Sequence, residues 1–339
     1  MARRAQSRPF TPTQVIGTIG VLAAAGTAIS AATSPWVSAL AIRAAFTRGA
    51  AATSAEMAPY APTYGVDAGL NLPYGERSTA RFDLFTPAQG TTPLATIVWI
   101  HGGAWISGTK NDLRPYLRML AAQGYTVVGV GYPMAPEERY PVALTEINKA
   151  IAHLLRNAGE LRIDPRRIIL AGDSAGAQLA SQLATATTNP EYARQIRLVP
   201  ALKPHQLSAT ILHCGIYDID SMADVTGLTS WGFKSALWAY IGVKNWTDTP
   251  AAAAMSTINH VTGDFPPTFI SGGNADLLTE TQSEAMAARL ATLGVAVTDV
   301  FFDADATPQL PHEYQFHLNY SEARQTLVKT LRFLEGVTG

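Results

Sequence analysis

The sequence predicts an α/β chain whose centre is a mostly parallel sheet with helices on both faces. Three observations predict it. Continuous apolar runs such as LATIVWI (Leu94 to Ile100) and YTVVGVGY (Tyr125 to Tyr132) suit strands covered on both sides, because a half-exposed strand would alternate. These runs alternate with stretches of helical spacing, the pattern that builds parallel sheets. Of 339 residues 47% are hydrophobic and only 15% charged, ample for one large buried core.

The elements follow in order. A basic stretch, MARRAQSR, opens the chain, and no charged residue occurs from Val15 to Ile42. A run of that length exceeds the roughly 7–15 apolar residues of a cleaved signal and suits a membrane anchor of about 20. Residues 1–42 are therefore read as a basic N-region plus anchor, helical to about residue 33 and ended or kinked by Pro35. A signal cleaved near Ser30-Ala31-Ala32, or an amphipathic or buried helix, are the alternatives. Arginines before the run place the N-terminus in the cytoplasm and the remaining domain outside, or secreted if the segment is cleaved. Residues 43–75, rich in Ala, Pro, Gly and Tyr without periodicity, are expected to be a linker.

Residues 76–339 carry the regular pattern. Strands are predicted at Arg81 to Pro87, Leu94 to Ile100, Tyr125 to Tyr132, Arg166 to Gly172, Ser208 to Gly215, Pro267 to Gly273 and Val295 to Phe302. Helices are predicted around Leu113 to Gln123, Val142 to Asn157, Ser174 to Thr187, Thr281 to Leu293 and Ser321 to Leu334. About 217–265 is an insertion that the sheet does not need, read as a lid with Trp231, Phe233, Trp238, Tyr240 and Trp246.

Several function classes are disfavoured. A formal net charge of −1 offers no basic surface for nucleic acid. One cysteine, Cys214, excludes an intrachain disulfide and reads as a buried, inert thiol. No metal is expected, since ligand spacing such as H-E-x-x-H is missing, and GTIG near the start lacks the preceding strand of a phosphate loop.

Chemistry in parallel sheets sits beyond the carboxyl ends of the strands. Directly after RRIILAG comes GDSAG, Gly172 to Gly176, a match to G-x-S-x-G. A serine hydroxyl is a weak nucleophile unless a tight strand-to-helix turn exposes it beside a base, and the flanking glycines leave room for that turn. The bare pattern arises by chance in about one chain in ten, so partners must decide. HGGAW, His101 to Trp105, follows LATIVWI, and its glycines can aim backbone N–H groups at one point. Gly103 and Ala104, with Ala175 after the serine, are the candidate oxyanion donors, whereas His101 reads as a structural residue of the loop. Asp276 lies just past PTFISGG and His312 in the loop before the last helix, the order nucleophile, acid, base. Asp218, Asp303 and Asp305 are rival acids and His317 is a rival base, each less well placed.

HGGAW, GYPMAPEERYP, GDSAG, GNADLL and PHEYQF together resemble the α/β-hydrolase esterases related to hormone-sensitive lipase and to the feruloyl-esterase-like and kynurenine-formamidase-like groups. The resemblance spans about residues 70–337. It implies an α/β-hydrolase fold and cofactor-free carboxylesterase chemistry, with Ser174, Asp276 and His312 as triad and Gly103, Ala104 and Ala175 as oxyanion hole. Two departures stand out. Ala104 and Trp105 replace the third glycine and its successor in the lipase-type HGGG, and Pro133 follows Tyr132 where the family commonly has an arginine, so a usual salt bridge loses its cation.

The expected partner is a small ester with an apolar or aryl acyl group, met by Trp105, Trp231 and Trp238. An amidase or formamidase would use the same triad. A non-catalytic binding domain on the same scaffold would typically lack a triad member, and an N-terminal helix acting as the main anchor or assembly module is a third reading.

Overall fold

The computed structural model describes residues 33–339. Eight strands form one sheet in the order β1-β2-β4-β3-β5-β6-β7-β8. They are β1 (Val66–Pro73), β2 (Arg81–Pro87), β3 (Leu94–Ile100), β4 (Thr126–Val130), β5 (Ile163–Asp173), β6 (Leu207–His213), β7 (Thr268–Ser271) and β8 (Val297–Val300). β1 and β2 run antiparallel to their neighbours, and every pairing from β4 to β8 is parallel. This is the α/β-hydrolase fold expected from the sequence.

The apolar runs explain the layering. In β3, Ile97 and Trp99 enter the core on one face while Val98 and Ile100 enter the core on the other, and all four are buried. One face packs α3 (Val142–Arg156) and α4 (Ala175–Thr188); the other packs α2 (Arg114–Ala121) and α9 (Ser321–Thr338). α4, which follows Ser174, is buried along its entire length, so the nucleophile's helix is fixed in the interior. A short α5 (Pro190–Gln195) follows it. The insertion between β6 and β7 carries α6 (Gly227–Ile241) and α7 (Pro250–Met255), and α8 (Ala285–Thr292) precedes β8.

The N-terminal region differs from the expectation. Residues 43–75 are not an irregular linker: α1 (Trp36–Met57) and β1 occupy most of them. α1 was hidden because an Ala-, Gly- and Thr-rich helix that buries only Ser38, Ala39, Ile42 and Met57 shows no apolar period. β1 was hidden because it is an exposed edge strand with an irregularity between Gly69 and Leu72, so its side chains do not alternate. Thr33 is helical and the helical assignment breaks at Ser34 and Pro35, as expected there; Pro35 then stands at the start of α1, where its missing N–H is harmless. Most of the uncharged run read as an anchor lies outside the described residues, and among those described no helix is long and apolar enough to cross a membrane.

α1 lies against α6 and α2 and is fastened at both ends. The Arg43 guanidinium donates to the carbonyls of Ile106 (2.6 Å) and Ala135 (2.7 Å) and forks onto Glu137 at 2.8 and 2.6 Å. Near its C-terminus, Glu56 pairs with His317 Nδ1 at 3.0 Å. The helix therefore bridges the loop after β3 and the segment after His312.

Candidate active site

β5 delivers Ser174 on a turn that only small neighbours permit. Its backbone sits at φ 51°, ψ −120°, a strained setting for a residue with a side chain, between the strand and α4. A methyl group added to Gly176 would stand 2.0 Å from the Ile100 carbonyl oxygen, and one on Gly172 would stand 2.5 Å from Gly176. Glycine at both positions is what lets strand, turn and helix approach.

Three side chains from the segments that follow β5, β7 and β8 then meet. His312 Nε2 lies 2.9 Å from Ser174 Oγ, and His312 Nδ1 lies 2.7 Å from Asp276 Oδ2. The other Asp276 oxygen accepts the Leu278 amide at 3.0 Å, which fixes the carboxylate. Burial raises the Asp276 pKa, but the charge and hydrogen bond of His312 outweigh it and leave the group below the ordinary carboxylate range. For His312, burial acts downward; Asp276's charge and hydrogen bond, with Glu313 and Asp173, push it up to about 9. An imidazole so stabilised in its charged form is suited to take a proton from Ser174.

The loop after β3 faces this triad. Gly103, Ala104 and Trp105 all have positive φ (110°, 54° and 59°). A methyl on Gly103 would stand 2.2 Å from the Ser107 carbonyl oxygen, whose amide closes the turn by donating to Gly103 at 2.9 Å. The amides of Gly103, Ala104 and Ala175 donate to no acceptor among the described residues, as donors reserved for a ligand would. Support comes from beneath. Tyr132 donates to the His101 carbonyl at 2.7 Å and stacks on the His101 ring, centroids 4.3 Å apart. Burial lowers the His101 pKa to about 4, so this ring is a neutral structural group.

The rival acids and base are otherwise engaged or distant. Asp218 accepts the amides of Asp220 and Ser221 in its own turn, and His317 pairs with Glu56. Cys214 is buried, its thiol donates to Gln315 at 3.5 Å, and burial pushes its pKa up. Among the described residues the one group arranged like metal ligands is Cys214, Asp276 and His312, two of which are already bonded within the triad.

A cavity of about 330 Å³ opens over Ser174 and His312. Its apolar wall consists of Ala45, Phe46, Ala50 and Met57 from α1, Phe233 from α6, and Leu113 and Phe316. None of the three tryptophans expected to meet the substrate lines it. Trp105 is buried under the loop, stacked on Tyr240 at 5.3 Å with its indole N–H toward Gln178, because its positive φ turns the side chain inward. Trp231 is 51% exposed, and Trp238 lies under the Lys244 ammonium, 5.3 Å from the ring centre. The wall from α1 was illegible in the sequence, where that stretch reads as linker. Phe233 was visible among the lid aromatics, with nothing to single it out.

Residues 82–290 match the BD-FAE family model. The chain belongs to the BD-FAE family. An acetyl esterase of Salmonella paratyphi B is 31% identical over 214 residues, covering 61% of each chain. The chain thus spans about 61% of the length of the curated relatives it matches. Among solved structures, esterase B of Lactobacillus rhamnosis superposes with a TM-score of 0.77 at 24% identity, over 90% of this chain and 96% of that one. A bacterial heroin esterase superposes at 0.68 and 22% identity, over 88% and 91%. At such identities these two speak for the fold.

Proposed function

We propose that the protein is a serine hydrolase that cleaves carboxylic esters of small to medium apolar or aryl acyl groups through an acyl-enzyme. The observation that carries the reading is the continuous line from Ser174 Oγ to His312 Nε2 (2.9 Å) and from His312 Nδ1 to Asp276 (2.7 Å), beside three undonated amides. Ser174 Oγ attacks the ester carbonyl carbon as His312 Nε2 takes its proton. The carbonyl oxygen becomes an oxyanion held by the amides of Gly103, Ala104 and Ala175, and Asp276 stabilises the imidazolium. Collapse expels the alcohol, which receives the proton from His312. Water, deprotonated by the same imidazole, then releases the acid and frees Ser174.

The size of the acyl group follows from the cavity. About 330 Å³ behind an apolar wall accommodates a short acyl chain or one aromatic ring, and the acetyl esterase relative supports the lower end of that range. The test is hydrolysis of short p-nitrophenyl esters by the full chain, with formyl amides alongside. Ser174→Ala should lower the rate at least about 10³-fold. A folded Ser174→Ala protein that kept its activity, or a fluorophosphonate adduct on another serine, would overturn the reading.

A further inference from the structure

Two carboxylates that the triad does not use sit at its foot. Asp173, the last residue of β5, is buried, and both of its oxygens are engaged: Oδ1 accepts the Trp99 indole N–H at 2.7 Å and Oδ2 accepts the Gly102 amide at 2.7 Å. Glu313 follows His312 and holds a left-handed backbone, φ 59°, that costs a residue with a side chain about 1 kcal/mol or more. That conformation turns its carboxyl back into the site. A methyl placed on Gly102 would stand 2.5 Å from Asp173 Oδ2 and 2.8 Å from Glu313 Oε1, so the two carboxyl groups converge on one point. Glu313 Oε1 is also 4.0 Å from His312 Nε2.

Two ionised carboxylates are acceptors only, so groups that converge in this way can bond directly only when one of them keeps a proton. We propose that Asp173 and Glu313 share one proton and act as a pair of positioning residues, locking the oxyanion loop through Gly102 to the segment that carries His312. This rests on the ester-hydrolase reading for its consequence in turnover, though not for its chemistry. The groups facing the pair from neighbouring elements are His312 with Asp276 behind it, Tyr132 beyond β4, Tyr116 on α2 and Cys214 after β6. Burial, then the charge of Glu313, push Asp173 well above the ordinary carboxylate range, in keeping with a retained proton. With the proton the pair carries one negative charge. Without it, two sit beneath the amides that must receive the oxyanion, and the bond joining the two segments is gone.

The test compares Glu313→Gln with Glu313→Ala in the full chain. Glutamine offers Asp173 an N–H that does not ionise at any working pH. Its kcat on a short ester at about pH 8 should stay within about threefold of the parent, while the parent's fall in kcat at alkaline pH disappears. Alanine removes the bond and should lower kcat about tenfold or more with KM little changed. A second readout needs no turnover. A proton held in the folded state above the carboxylate range is lost from it as pH rises, so the parent's melting temperature should fall more steeply with rising pH, above the carboxylate range, than that of Glu313→Gln. A glutamine variant with the parent's alkaline limb and the parent's melting slope would overturn the proposal. So would an alanine variant with unchanged kcat. If the ester-hydrolase reading were wrong, the melting slopes would still decide whether the proton is shared.

Discussion

Replacing Arg43 by methionine should undock α1 without touching the triad. The stem length and helix propensity are kept, while every donor is lost. Two of those donors meet the carbonyls of Ile106 and Ala135, residues that are fully buried, at 2.6 and 2.7 Å. A hydrogen bond from a charged donor contributes about 1.5–3 kcal/mol, and an exposed ion pair up to about 1. The pair with Glu137 belongs to the second kind, since the two side chains are 27% and 47% exposed. Allowing for water to replace part of the loss, docking should weaken by about 2–4 kcal/mol, which raises the undocked population roughly 30- to 700-fold. Hydrogen exchange of the α1 amides reads that population directly. Because α1 supplies much of the apolar wall, KM for longer acyl chains should rise while acetyl ester turnover changes little. Glu137→Gln, which leaves the carbonyl bonds in place, should show a much smaller effect. Exchange in α1 unchanged by Arg43→Met would refute the reasoning.

Three further outcomes follow from the same geometry. His312 must be neutral to accept the Ser174 proton, and its pKa stands at about 9 rather than the ordinary 6.5, so kcat/KM should still be climbing as pH rises through about 9, and titration of activity would show it. The linkage to stability has the opposite sign: stabilisation by the charged imidazole is complete below about pH 6.5 and lost as pH rises through about 9, so its contribution to the melting temperature shrinks where activity grows. Gly103→Ala puts a methyl 2.2 Å from Ser107 O at φ 110°; steady-state kinetics should record a kcat loss of about 10²–10³ as the loop's amides swing away, with circular dichroism unchanged. Phe233→Ala should widen the acyl cavity and shift a chain-length profile toward longer esters, whereas Trp231→Ala should leave the profile where it was, because that ring faces solvent.

What could be read from the sequence was whatever is local or periodic. The strands that carry Ser174 and Gly103 are buried on both faces, so each is a continuous apolar run, and the functional residues follow within a few positions of its end. Asp276, five residues past the buried β7, could be placed for the same reason, whereas His312, twelve residues past β8, is placed by chain order and by the loop before the last helix. The acyl wall could not, because it is built by a helix about 130 residues before the serine whose composition fits no period and whose role arises only in contact with α6. Trp105, Trp231 and Trp238 suit a substrate pocket by being large and aromatic. That chemistry does not determine direction: one is turned under the loop by its backbone, one lies under a lysine, and one meets solvent.

The proline after Tyr132 shows how such a gap closes in space. With Pro133 in place, the segment from Tyr132 to Glu137 carries no cation of its own to pair with Glu137. Glu137 is nevertheless paired, its pKa lowered first by the hydrogen bond from Arg43. Arg43 is the first charged residue after the uncharged run, 94 positions away in the chain. A cation supplied from within the same segment would brace the loop alone. One supplied from α1 braces the loop only while α1 is docked, and α1 is docked only while the acyl wall is formed. Departure and substitution together thus join two things that a local arginine would keep separate, the order of the loop after β3 and the closure of the substrate cavity.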